Sequence, residues 1–391
     1  MVRTDFFARA RRPKQRHLAP AQAIAIGFGS AIVLGTILLM LPISSAGGKW
    51  TGVIDALFTA TSAVCVTGLI VVDTAVYWSP FGKVVILLLI QLGGLGIMLF
   101  ASLIGLALAR KLSVRSRVIA GTETKTAGSG DMKRIATGIL VTTLTIEVAV
   151  AALLFVRFTT GYGYEPARAA WHAVFHAISS FNNAGFALYS DSLMGFVSDP
   201  WICLPICAAI ILGGLGFPVL RQLRKELRRP LHWTMNTRIV LWATGTLLVL
   251  GTVYVLVIEW NNPATLGALD PGSRILAGFF HAVQSRTAGF NSVDTSALHD
   301  ETWLGTDVLM FIGGGPAGTA GGIKVTTFAV LFFIMFTELR GGTAVNVFGK
   351  RLSRAVHREA ITVVLVALGA VMAAVIAILA ITVLDLDRVL F

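Results

Sequence analysis

The sequence predicts an all-α integral membrane protein built from tandem helix–pore loop–helix repeats around a central pore, three complete and a fourth incomplete. Three observations predict it. First, 55% of the 391 residues are hydrophobic and only 13% are charged, where a soluble chain carries about 25% charged residues; the mean hydropathy is +0.78. Second, basic residues gather in alternate connections. Third, a short semi-polar motif recurs between long apolar segments. The composition excludes a disordered or collagen-like chain and argues against a soluble multi-domain enzyme.

Taken in order, residues 1–18 form a basic N-terminus, expected in the cytoplasm. The apolar run from Ala21 to Leu41 is too long for a signal-peptide core and shows no small-residue cleavage pattern, so it reads as a retained first helix. Long apolar segments lie at 20–43, 80–109, 135–158, 201–220, 238–259, 306–337 and 359–385. Each can cross a hydrocarbon core of about 30 Å. Shorter semi-polar segments at 53–72, 168–187 and 274–291 cannot span alone and are expected to re-enter the membrane, enclosed by protein or water.

Lys and Arg total 32 and Asp and Glu total 20, a net charge of +12. The stretches 1–18, 110–134, 221–238 and 340–358 hold 24 of the basic residues, with six acids in or beside them. The intervening connections are acidic, including Asp191, Asp199, Glu259, Asp270, Asp294 and Asp300. This alternation places the basic stretches and the N-terminus inside. No aromatic-interleaved basic module is present, so no nucleic-acid partner is expected.

The short segments align with one another. Leu57-Phe58-Thr59-Ala60 leads to Val66-Thr67-Gly68-Leu69, Val174-Phe175-His176-Ala177 to Asn183-Ala184-Gly185-Phe186, and Phe279-Phe280-His281-Ala282 to Thr287-Ala288-Gly289-Phe290. Phe and Gly are ten, ten and nine residues apart. The units divide the chain into 19–110 (pore repeat 1), 132–229 (repeat 2), 232–340 (repeat 3) and 355–391, the first helix of a fourth. Phe391 falls where Phe58, Phe175 and Phe280 fall, so we expect the sequence to be a fragment. A partner chain supplying the last quarter, or an inactive product, are the alternatives.

Such a unit suits an ion pore. Short helices can aim their partially negative C-terminal ends at an axis, and the extended residues that follow can turn carbonyls inward to replace a cation's hydration shell. The candidate filter residues are Val66, Thr67, Gly68, Asn183, Ala184, Gly185, Thr287, Ala288 and Gly289. The segments contain no acid, which suits carbonyls rather than a carboxylate ring. The plainer alternative is that each Gly ends its helix as a left-handed cap.

These motifs, with Gln91-Leu92-Gly93-Gly94-Leu95-Gly96, Phe181-Asn182-Asn183-Ala184-Gly185-Phe186, Arg286-Thr287-Ala288-Gly289-Phe290-Asn291 and Thr319-Ala320-Gly321-Gly322-Ile323-Lys324, resemble the Trk/Ktr/HKT potassium transporter superfamily. The resemblance runs from about Leu18 to Phe391 and is strongest to the Ktr membrane subunit. It implies potassium uptake across the cytoplasmic membrane, four units per chain, a homodimer, and a cytoplasmic nucleotide-binding regulatory ring. It implies potassium as the transported ion and no covalent cofactor, and leaves sodium open as a coupling or activating ion. Membrane lipid is a further expected partner.

The segment 306–337 is interrupted by Gly313, Gly314, Gly315, Pro316, Ala317, Gly318, Thr319, Ala320, Gly321 and Gly322. Gly costs about 1 kcal/mol and Pro about 3 in a helix interior, so unwound backbone lining a cavity is expected. In the resembling family this loop gates the pore, and that role is carried over to it together with Lys324. A phosphate-binding loop is excluded because Ile323 precedes Lys324, breaking the required order. A simple hinge is the alternative for the loop. Lys324 itself either faces the pore or snorkels toward the cytoplasm.

Other residues receive plainer readings. Glu147, the lone acid of 135–158, is expected to partner a nearby polar group rather than relay protons. His172, His176 and His281 are expected to pack rather than bind metal, as are Cys203 and Cys207. Gly93–Gly96 and Gly213–Gly216 are read as equivalent small-residue surfaces against the pore loops. Trp50, Trp78, Trp201 and Trp303 are read as an interfacial belt. The rival to a pore is a secondary cation transporter with a midplane site, whose inverted repeats would alternate in orientation where these share one. An intramembrane enzyme is not expected, because no second catalytic group accompanies Glu147.

Overall fold

The computed structural model describes residues 20–120, 129–342 and 345–390. The N-terminus expected at 1–18 and the aromatic position Phe391 lie outside them. α1 (Pro20–Met40), α2 (Val53–Cys65) and α3 (Pro80–Ala120) come first, then α4 (Ser129–Tyr162), α5 (Pro166–Phe181), α6 (Pro200–Leu215) and α7 (Phe217–Glu226). α8 (Met235–Glu259), α9 (Pro271–Gln284), α10 (Asp300–Phe311) and α11 (Val325–Leu339) follow. A small antiparallel hairpin of β1 (Asn346–Val347) and β2 (Lys350–Arg351) leads to α12 (Arg354–Ile381) and the short α13 (Leu386–Leu390).

Local sequence sets these boundaries. α5 and α9 open on Pro166 and Pro271, whose missing N–H is no loss in a first turn. The Asp270 carboxylate caps α9 by accepting from the Gly272 and Ser273 amides at 3.0 and 3.2 Å. Thr234 and Ser353 cap α8 and α12 in the same way.

Among the described residues, four helices are long and apolar enough to cross a membrane: Pro80–Ser102, Lys133–Tyr162, Met235–Glu259 and Arg354–Ile381. α6 and α7 qualify only as a pair, and they bend by 103°. The apolar part of α1, Ala25–Met40, is shorter, as are α2 and α11. Outer faces carry Val33, Leu34, Leu365 and Val366, all more than half exposed, as expected where lipid is the solvent.

Each short helix is buried between longer ones. Ala56, Ala60 and Ala63 of α2 pack with Leu39, Ile86 and Ile90 from α1 and α3. Ala173, Ala177 and Phe181 of α5 pack with Leu154, Phe158, Ile202 and Ile206 from α4 and α6. Alanines on the short helices let the flanking helices approach closely.

Two sequence expectations are corrected. The segment 201–220 is not one helix. Gly216 adopts φ +90° and Pro218 follows it, ending α6 and starting α7, whereas Gly93–Gly96 stay helical within α3. The two glycine clusters therefore differ in helix continuity but keep the expected packing: a Cβ on Gly93 would stand 2.1 Å from Val64 O, and one on Gly213 1.9 Å from the matching Phe181 O. Trp78 is not interfacial either: it is 1% exposed, in edge contact with Tyr77. Trp303 is half-buried and donates to the Thr295 carbonyl at 2.7 Å, while Trp50 and Trp201 are exposed.

Candidate functional site

The C-terminal ends of α2, α5 and α9 lead into three segments that meet. Val66, Asn183 and Thr287 all adopt left-handed φ, at +57°, +57° and +70°, and Gly68, Gly185 and Gly289 do so two residues later, at +81°, +69° and +78°. Thr67, Ala184 and Ala288 between them do not.

The left-handed helix cap is therefore Val66, Asn183 or Thr287, and not the glycine. Val66 N–H donates to Ala63 O and Thr67 N–H to Ser62 O, and Asn183 and Ala184 repeat this pair with Ser180 and Ser179. These bonds satisfy the last free carbonyls of the helix. A left-handed β-branched residue is costly and persists only where its surroundings hold it.

Close approach explains the glycines. A Cβ on Gly68 would stand 2.6 Å from Ala184 O, and one on Gly185 would stand 2.5 Å from Ala288 O. A Cβ on Gly289 would lie 3.5 Å from Gly185 Cα and 3.8 Å from Thr67 O. The three segments thus touch pairwise, backbone against backbone.

The segment Gly313–Gly322 is unwound, as its composition predicts. Its two arms pair through Gly313 N–H to Ile323 O at 2.9 Å and Ile323 N–H to Phe311 O at 3.0 Å. Its tip enters the break between α6 and α7. There Gly315 N–H donates to Gly214 O at 2.7 Å and Thr319 N–H to Gly213 O at 3.1 Å, while Ala317 O accepts from Phe217 N–H at 3.1 Å. Two helix breaks therefore satisfy each other's free backbone groups.

The loop also reaches the converging segments. Thr319 Oγ1 donates to Phe181 O at 3.1 Å, and Gly321 N–H donates to Thr287 Oγ1 at 2.8 Å. The Lys324 ammonium is half-buried and turned back onto the loop, donating to Ala320 O at 2.7 Å.

Behind the second segment, the buried Glu147 carboxylate accepts from Gln91 at 3.3 Å and from Asn182 at 3.1 Å, and Asn182 also donates to Gln91 Oε1. Glu147 therefore has the polar partners expected of it. His176 is buried between His172 O, at 2.7 Å from its Nδ1, and the Leu188 amide, which donates to Nε2. His281 reaches Thr306 Oγ1 at 3.1 Å from the matching position.

Sequence reasoning missed Arg286. It stands three residues before Gly289, where the other units have Cys65 and Asn182, and a charge in an otherwise uncharged motif was the available signal. It also missed Glu259, which lies buried at the end of α8 rather than free in a connection.

Apolar spans around a broken, glycine-lined centre define a multi-pass helical membrane transporter. Residues 9–389 match the TrkH cation transport protein family, and the chain belongs to that family. It is 40% identical over 344 residues to the Ktr system potassium uptake protein B of Bacillus subtilis, covering 88% of this chain and 76% of that protein. The protein of the same name from Vibrio alginolyticus is 37% identical over 94% of this chain and 80% of its own length. The potassium/sodium uptake protein NtpJ of Enterococcus hirae is 36% identical over 90% of this chain and 78% of its own length. The fold matches the crystal structure of the potassium transporter TrkH from Vibrio parahaemolyticus with a TM-score of 0.71 at 19% identity, over 96% of this chain and 75% of that one.

Proposed function

We propose that this chain conducts potassium into the cell through a carbonyl-lined filter made by Val66–Gly68, Asn183–Gly185 and Thr287–Gly289, with Gly313–Gly322 and Lys324 forming a gate beneath it. The observation that carries the reading is the convergence of three helix C-termini on three touching, glycine-bearing segments. Residues of alternating handedness can present successive carbonyls to one side, as a dehydrated cation requires. Helix C-termini add partial negative charge there. The uptake functions in the relatives' names agree.

The membrane is the cytoplasmic one, with the N-terminus inside. The resemblance implies a cytoplasmic nucleotide-binding regulatory subunit as partner, and the word "system" in the Ktr relatives' names agrees with more than one component. A homodimer in lipid is the expected assembly. Sodium as a coupling or activating ion is suggested by the Enterococcus relative's name. The reading involves no covalent catalysis, no covalent cofactor and no nucleic acid.

Replacing Gly185 with Ala puts a Cβ against Ala288 O and strains a left-handed residue, so the carbonyl geometry is lost. Selectivity for rubidium over sodium should fall in liposomes. Gly163→Ala is the control, since it carries the same backbone strain at φ +63° with open space around it. An unchanged uptake ratio in folded Gly185→Ala protein, or an equal fall in the control, would reject the filter assignment.

A further inference from the structure

We propose that Arg286 is a positioning residue that latches the Gly313–Gly322 loop to the third converging segment. The inference rests on the reading of that loop as the gate. Arg286 is 7% exposed, and its Nη2 donates to Gly313 O at 3.1 Å. The next residue, Thr287, accepts from Gly321 N–H at 2.8 Å. Two consecutive side chains of one segment therefore hold the two arms of the loop, one at each end.

A cavity of about 10 Å³ adjoins this contact, lined by Arg286, Thr244, Asn183, Gly214, Gly314 and Ala320 among others. Its volume suits a single water. Arg286 Nε and Thr244 Oγ1 are both buried without a protein partner and share this space. A water bonded to both would give each of them a partner.

No carboxylate lines the cavity, and the Gly313 carbonyl rather than an ion pair holds the guanidinium there. Such a bond breaks without stranding a buried counter-charge, which suits a contact that must release. Asn182 holds the corresponding place in the second unit and is tied instead to Glu147 and Gln91 in the surrounding helices. The third segment alone is tied to the loop by this position.

The test places a reporter cysteine at Ala320, which is 2% exposed, in protein with Cys65 replaced by Ala. Loss of one charge-assisted hydrogen bond should raise loop opening about tenfold. A membrane-permeant thiol reagent should therefore modify Ala320→Cys about tenfold faster in Arg286→Met, and at an intermediate rate in Arg286→Lys, which retains a donor. The buried Cys203 and Cys207 should stay unreactive, since they report general loosening.

An unchanged rate in Arg286→Met, or simultaneous modification of Cys203 and Cys207, would overturn the latch. Potassium flux through the same proteins separates the two readings. Faster modification with higher flux supports both, whereas faster modification with unchanged flux upholds the latch and rejects the gate.

Discussion

Glu259 is fully buried at the C-terminal end of α8, where four groups donate to its carboxylate. These are the Asn262 amide at 2.7 Å, the Thr265 hydroxyl at 2.6 Å, the His299 N–H at 2.8 Å and the Thr302 hydroxyl at 2.5 Å. The carboxylate thereby ties α8 to the first turn of α10. Glu259→Ala removes the acceptor from all four donors and should cost about 3 kcal/mol or more. Thermal unfolding in detergent should show a lowered midpoint, with Glu259→Gln intermediate, and an unshifted midpoint would refute this role. The sequence displayed Glu259 only as one acid in an acidic connection, because partners up to 43 residues away leave no local mark. Gly68, Gly185 and Gly289 were legible because the same spacing recurs three times. Their reason was not: the left-handed caps are Val66, Asn183 and Thr287, and the glycines answer to backbone packed from other units.

At the scale of elements, apolar length and helix-breaking residues made most boundaries readable, and Gly313–Gly322 could be predicted to unwind. The break in 201–220 was harder to see. Gly213–Gly216 matches Gly93–Gly96 residue for residue, yet only Gly216 is followed two residues on by a proline, and the break there receives the tip of the loop. Interlocking of the two breaks is a tertiary fact, and it bears on the deletion of Ala317–Ala320. That deletion removes the Ala317 contact to Phe217, the Thr319 contacts to Gly213 and Phe181, and the acceptor for Lys324. The remaining residues can no longer fill the break. Potassium flux in liposomes should rise several-fold with rubidium-over-sodium selectivity retained, because Gly68, Gly185 and Gly289 are untouched. Unchanged flux in protein of normal elution volume would count against a gating role. Reduced selectivity would show that the loop also shapes the filter.

Across the whole molecule, charge and shape divide together. Arg221, Arg224 and Lys225 of α7 and Arg228 and Arg229 just after it are exposed beyond the 103° bend. The connections at the opposite ends of the spans carry Asp270 and Asp294. Hydrogen bonds from Ser273 hold Asp270 below the usual carboxylate range, and those from Ser296 do the same for Asp294, so both stay ionised at neutral pH. The basic side is therefore predicted to face the cytoplasm. Single cysteines at Lys49 and Arg228, both exposed, test the prediction in a background with Cys65 replaced by Ala. A membrane-impermeant thiol reagent added to intact cells should label the cysteine at Lys49, which lies between α1 and α2. It should reach the cysteine at Arg228 only after permeabilisation. Labelling of Arg228→Cys in intact cells, with Lys49→Cys protected, would invert the whole assignment, and with it the direction in which the three short helices aim their C-terminal ends.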